Sequence, residues 1–96
     1  MKVVWSQTAL AHLVDIHDYI ARNSPRYAIR MVDRLTERSK QAGLHGESGE
    51  MVPEYRRPEI REFIEGPYRL IYRLEEERAV VLAVIHGASL LPPQPP

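Results

Sequence analysis

Residues 60–86 read IREFIEGPYRLIYRLEEERAVVLAVIH, and this stretch decides the fold. Ile60 to Glu65 has the composition of a strand and is closed by Gly66-Pro67, a dipeptide that turns the chain. Tyr68, Leu70, Tyr72 and Leu74 then alternate with Arg69, Ile71 and Arg73, the period of a strand with one buried face. Glu75-Glu76-Glu77 is a charged turn. Ala79 to Ile85 is almost wholly apolar, as expected of a strand covered on both faces. The connections are too short for crossovers, so the three strands form an antiparallel meander.

Upstream, residues 43–59 (GLHGESGEMVPEYRRPE) hold three glycines and two prolines and show little period. They read as a loop, and a loop of this length in a compact domain is usually functional or mobile. Before it, Ala28, Met31, Val32, Leu35, Ser39 and Ala42 share one helix face, entered at Ser24-Pro25 and stopped near Gly43. Ala9, Leu13, Ile16 and Ile20 mark an earlier helix over about residues 7–22, capped by Ser6, with Asp18 and Arg22 spaced to pair. The short Asn23-Ser24-Pro25 link makes the two helices an antiparallel hairpin. Val3, Val4 and Trp5 start the chain as a short strand that pairs with a strand of the meander. The expected class is α+β, order β-α-α-β-β-β, with the helical hairpin packed on one face of a small antiparallel sheet. Residues 1–90 make one domain, and residues 91–96 a proline-rich flexible tail.

Composition narrows the function. The chain has 96 residues, 44% hydrophobic and 27% charged, which is ordinary for a folded domain. A domain of this size buries roughly 60–65% of its surface, so a partner covering apolar area would stabilise it. No apolar run approaches the roughly 20 residues that span a bilayer. The opening MKVVWSQTALAHL lacks the form of a signal peptide. Cysteine is absent, which fits a reducing compartment, so a cytoplasmic location without membrane partners is expected. Net charge is zero, yet eleven of the thirteen basic residues are arginine. That implies local basic faces balanced by acidic ones, suited to bidentate pairing. It argues against bulk or direct sequence-specific nucleic-acid binding by this chain alone.

Candidate sites are few. Arg22, Arg26, Arg30, Arg34 and Arg38 recur every four residues, either as a basic face or as a solvated one with pairs such as Arg30–Asp33 and Arg34–Glu37. His12, His17, His45 and His86 have the wrong spacing for a metal site, so no metal is expected. His86 ends the most buried strand, where it is either a hydrogen-bonded structural group or part of a site. Arg69 and Arg73 share one strand face, which would be a shallow basic surface if open, and Glu62 and Glu65 could neutralise part of it. Neither a Ser-His-Asp set nor a glycine-rich phosphate loop is present, and no cofactor is implied.

Several phrases in order resemble the RelE/ParE superfamily of bacterial toxins from type II toxin–antitoxin modules. They are V-V-W-S-Q-T-A near the start, D-Y-I-A-R-N-S-P, G-E-M-V-P-E, I-R-E-F, Y-R-L-I-Y-R-L and V-I-H-G. The likeness covers about residues 3–90 and is nearer the ParE branch. That branch implies inhibition of DNA gyrase by binding, and neutralisation by a cognate antitoxin whose extended segment wraps the toxin. The RelE branch implies ribosome-dependent cleavage of messenger RNA, which Arg61, Arg69 and His86 would carry here. Arg69 matches the arginine of the shared Y-R phrase, and Arg61 falls near a catalytic lysine of the nuclease branch. Phe63 stands where that branch has a second basic group, and Ser89 where the family usually has arginine. The resemblance therefore implies a target-binding surface of Arg61, Arg69, Arg73, His86 and Ser89 without ribonuclease chemistry. It also leaves room for a degenerate member that binds its antitoxin without toxicity.

Overall fold

In the computed structural model, which describes Met1 to Pro96, each helix begins at a serine. Ser6 Oγ accepts from Ala9 N at 3.0 Å and Ser24 Oγ from Tyr27 N at 3.1 Å. Each satisfies an early N–H that has no partner inside its helix. Helix α1 spans Gln7–Ala21 and α2 spans Pro25–Leu44. α2 ends one residue past Gly43, as expected, but His45 rather than the glycine is its C-cap. The Gly43 carbonyl accepts from the Met1 ammonium at 2.8 Å, and a Cβ there would collide with the Met1 backbone and the Val3 side chain. The glycine lets the start of the chain lie against the helix.

The strands are β1 (Lys2–Trp5), β2 (Glu50–Met51), β3 (Ile60–Glu65), β4 (Tyr68–Leu74) and β5 (Arg78–His86). They form one sheet in the order β1-β5-β4-β3-β2. The β3-β4-β5 meander is antiparallel, and Gly66 turns β3 into β4 at φ 56°, a left-handed conformation open to glycine. Two details go beyond the sequence reading. β1 pairs with β5 in parallel, so the sheet is mixed, and the two-residue β2 pairs with β3 inside the stretch read as loop. β5 carries a bulge: Tyr72 faces Val81 and Ile71 faces Ala83, which leaves Leu82 without an opposite residue. β1 pairs with β5 only as far as Val81, and groups of α1 take up polar atoms of β5 beyond that point. Ser6 Oγ donates to the Leu82 carbonyl at 3.3 Å, and His12 Nδ1 accepts from Val84 N at 3.2 Å.

The sheet has apolar side chains on both faces. The helices cover one face, where Ala9, Met31 and Leu35 meet Phe63, Leu70, Tyr72 and Val81. On the other, Val52, Ile60, Ile71, Val80 and Leu82 pack together under Tyr55 and Leu91. Residues Ala79 to Val84 are accordingly all buried, as the apolar run required. Tyr55 Oη donates to the Pro92 carbonyl at 2.9 Å, so the tail is fastened at its start, although Leu90 just before it is 97% exposed.

Candidate functional site

Alternation along β4 sends Arg69, Ile71 and Arg73 away from the helices, while Tyr68, Leu70 and Tyr72 face them. Glu62 of β3 shares the outward side with Ile60. Arg69 Nε donates to Glu62 Oε1 at 2.6 Å. Its Nη1 and Nη2 donate to Glu54 Oε2 and Oε1 at 2.6 and 2.8 Å. One guanidinium is thus clamped by two carboxylates, with its side chain only 11% exposed. The hydrogen bonds from Arg69 hold the Glu54 carboxyl down at about 2, and the two carboxylates push Arg69 further above its ordinary value. The cluster carries a net charge of minus one. Arg73 is likewise occupied, donating to Glu75 Oε2 from Nε at 3.0 Å and Nη2 at 2.8 Å. The face that would have been basic if open is neutralised.

Arg61 points the other way, on the side of Phe63 and Glu65. Its Nη1 donates to the Gly49 carbonyl at 2.8 Å and holds the turn before β2. Phe63 is a core residue: its ring stacks on Tyr72 at 5.1 Å and Arg38 lies 5.0 Å above it. Glu65 looks onto α2, 2.7 Å from Arg34 Nη2, so of the two carboxylates only Glu62 neutralises the outward face. Arg34 and Arg38 therefore reach Glu65 on the sheet, neither expected pair (Arg30–Asp33 or Arg34–Glu37) forms, and Glu37 is taken by Lys40 at 2.8 Å. Arg22 sits over the Tyr19 ring at 5.8 Å instead of pairing with Asp18, which His17 Nδ1 contacts at 3.0 Å.

His86 closes β5 opposite Tyr68, with the two rings edge to face at 5.8 Å. Its Nδ1 accepts from Ala88 N at 3.1 Å, and its carbonyl accepts from Ser89 N at 2.9 Å. His86 and Ser89 are thus neighbours in one exposed turn. His86 also lines a cleft of about 420 Å³ with Asp15, Ile16, Tyr19, Pro67 and Tyr68. Burial pushes the Tyr68 phenol up. The five residues singled out in the sequence do not converge. Arg69 and Arg73 lie on one side of the sheet and Arg61 on the other, while His86, one register position from Arg69, turns to the Tyr68 side, with Ser89 in the turn beyond it. Sequence reasoning missed Glu54, whose place in an aperiodic loop carries no signal. It also missed Asp15 and Tyr19, a helical i, i+4 pair that the fold sets beside His86. No three His, Cys, Asp or Glu side chains are grouped to share a metal ion, and no helix is long and apolar enough to cross a membrane.

The model of the ParE toxins of type II toxin–antitoxin systems, parDE, matches residues 3–91. The chain belongs to the ParE toxin family. This ParE-family chain is 30% identical over 89 residues to the curated Toxin RelE2 of Caulobacter vibrioides, covering 93% of this chain and 98% of that protein. Its fold is similar to a solved chain described as the chromosomal ParDE toxin–antitoxin system from P. aeruginosa, with TM-score 0.74 and 24% identity. That alignment covers 90% of this chain and 95% of the other. Membership of a ParE family implies a cognate antitoxin as partner.

Proposed function

We propose that this ParE-family chain inhibits DNA gyrase by binding it, without chemistry of its own, and is held inactive by its antitoxin. The observation that carries this reading is the Arg69 clamp. Phosphodiester cleavage needs a cation aimed at developing charge and an acid or base within reach of the same phosphate. Here the arginine is neutralised twice over, and Arg61 and His86 stand elsewhere. A binding inhibitor needs only a complementary surface, for which the exposed turn of His86 and Ser89 and the exposed Ile64 and Met51 are available. Leu10, Val14 and Ile29 are also exposed, beside a shallow apolar groove lined by Leu13, Val14 and Val32. An antitoxin segment folding on binding would cover such a groove.

The deciding experiment is gyrase supercoiling with the purified chain beside Ser89→Arg. Inhibition by either form supports the proposal, and inhibition by the variant alone identifies Ser89 as disabling. Two inactive forms would overturn it. A second reading, RelE-like cleavage of messenger RNA, is favoured by the name of the curated relative. It requires codon-positioned cleavage that disappears in Arg69→Ala.

A further inference from the structure

We infer that the cleft between α1 and the β4–β5 end binds one arginine side chain presented by a partner protein. This does not rest on the gyrase reading. The floor and walls are Tyr68, the His86 ring, Ile16 and Pro67, and the rim carries Tyr19 and Asp15 from successive turns of α1. Tyr68 is 7% exposed and Tyr19 is 65% exposed, so one ring is a buried wall and the other stands at the surface with Arg22 over it. Asp15 has no ion-pair partner. The nearby basic side chains of α1 have partners of their own, His17 with Asp18 and Arg22 with the Tyr19 ring.

The cleft therefore joins three features in a volume of about 420 Å³: aromatic faces, an apolar floor and an unmatched carboxylate. That volume is within the range of small-ligand sites. An anion would be repelled by Asp15. A purely apolar side chain would strip water from the carboxylate and give nothing back. A guanidinium satisfies every wall. Its plane stacks on tyrosine, its N–H fork pairs with Asp15, and its methylene stem lies on Ile16 and Pro67. An ammonium is more strongly hydrated and has no plane to stack, so lysine fits less well. In this molecule Tyr19 already accepts a guanidinium, that of Arg22 at 5.8 Å.

The test uses the full chain, isotope-labelled, titrated with N-acetyl-L-arginine amide and followed by chemical shift. The lysine and leucine amides are titrated in parallel. Saturable shifts are expected at Asp15, Tyr19, Tyr68 and His86, with an affinity of about 1–10 mM, as suits one isolated side chain. The lysine amide should bind several-fold more weakly. Asp15→Asn, an exposed near-isosteric change, should weaken arginine about fivefold while shifts elsewhere in the spectrum stay in place. Tyr19→Leu should do the same through the stacking wall. Absence of saturation by about 50 mM overturns the proposal. So does equal binding of the lysine or leucine amide, or an Asp15→Asn chain that binds as tightly as the parent.

Discussion

Arg69 illustrates how a single side chain can look functional in sequence and be structurally committed in the fold. With Glu62 only 10% exposed beside it, Arg69→Ala would leave two carboxylates facing one another without a counter-charge. The expected cost is about 2–4 kcal/mol, read as a lower urea midpoint at unchanged slope. Glu54 adds a pH signature. Its carboxyl is depressed from 4.5 to about 2 in the folded chain, so the unfolded chain takes up its proton first. The stabilisation is therefore complete above about pH 4.5 and is lost as pH falls towards 2. Because the Glu54 side chain is 43% exposed, its share stays near the 1 kcal/mol of a good surface pair. Glu54→Gln should flatten that acid limb in a pH series of thermal melts. The shared face of Arg69 and Arg73 was legible, since alternation fixes it. Whether that face was open was not, because the closing carboxylate comes from a loop whose path no local pattern encodes.

Among the elements, the two helices and the three strands of the meander were legible from capping serines, helical stripes and the alternating Tyr-Arg-Leu run. β2 was not, because two paired residues cannot show a period. Neither was the direction of β1, which depends on a partner more than seventy positions away: Val3 pairs with Ala79. The bulge in β5 was equally hidden, since the buried run AVVLAVI is apolar on both sides of it. The end of β5 beyond the reach of β1 makes a specific demand on α1. His12→Ala removes the acceptor for Val84 N–H and should destabilise by about 1–3 kcal/mol, the cost of an unmade buried hydrogen bond. Hydrogen exchange should accelerate first at Val84 and its neighbours. At the opposite edge, Tyr72 Oη donates to the Gly46 carbonyl across the base of the loop. Tyr72→Phe keeps the ring in the core and should cost about 1 kcal/mol, with faster exchange over residues 46–51 and little change in the helices.

At the scale of the molecule, the second apolar cluster depends on parts that look peripheral. Leu91 and the Tyr55–Pro92 hydrogen bond tie the end of the chain over the face that the helices do not cover. Deleting residues 91–96 should lower stability by about 1 kcal/mol, from the partly buried Leu91 and one lost hydrogen bond, and loosen residues 52–57 in exchange measurements. The proline-rich composition showed that the tail cannot be helical, but not that its first residues are held.

β1 has one neighbour in the sheet, and that neighbour is β5, the last strand to be made. Translation delivers roughly 5–20 residues per second. Throughout that interval the first strand has no ladder to join and the helices have no completed sheet to cover. β5 also supplies residues to both apolar clusters, so a chain stopped before Arg78 lacks part of each. Nascent chains and fragments that end before Arg78 therefore lack the strand on which β1 and both apolar clusters depend, and the fold closes only once the last strand has been made.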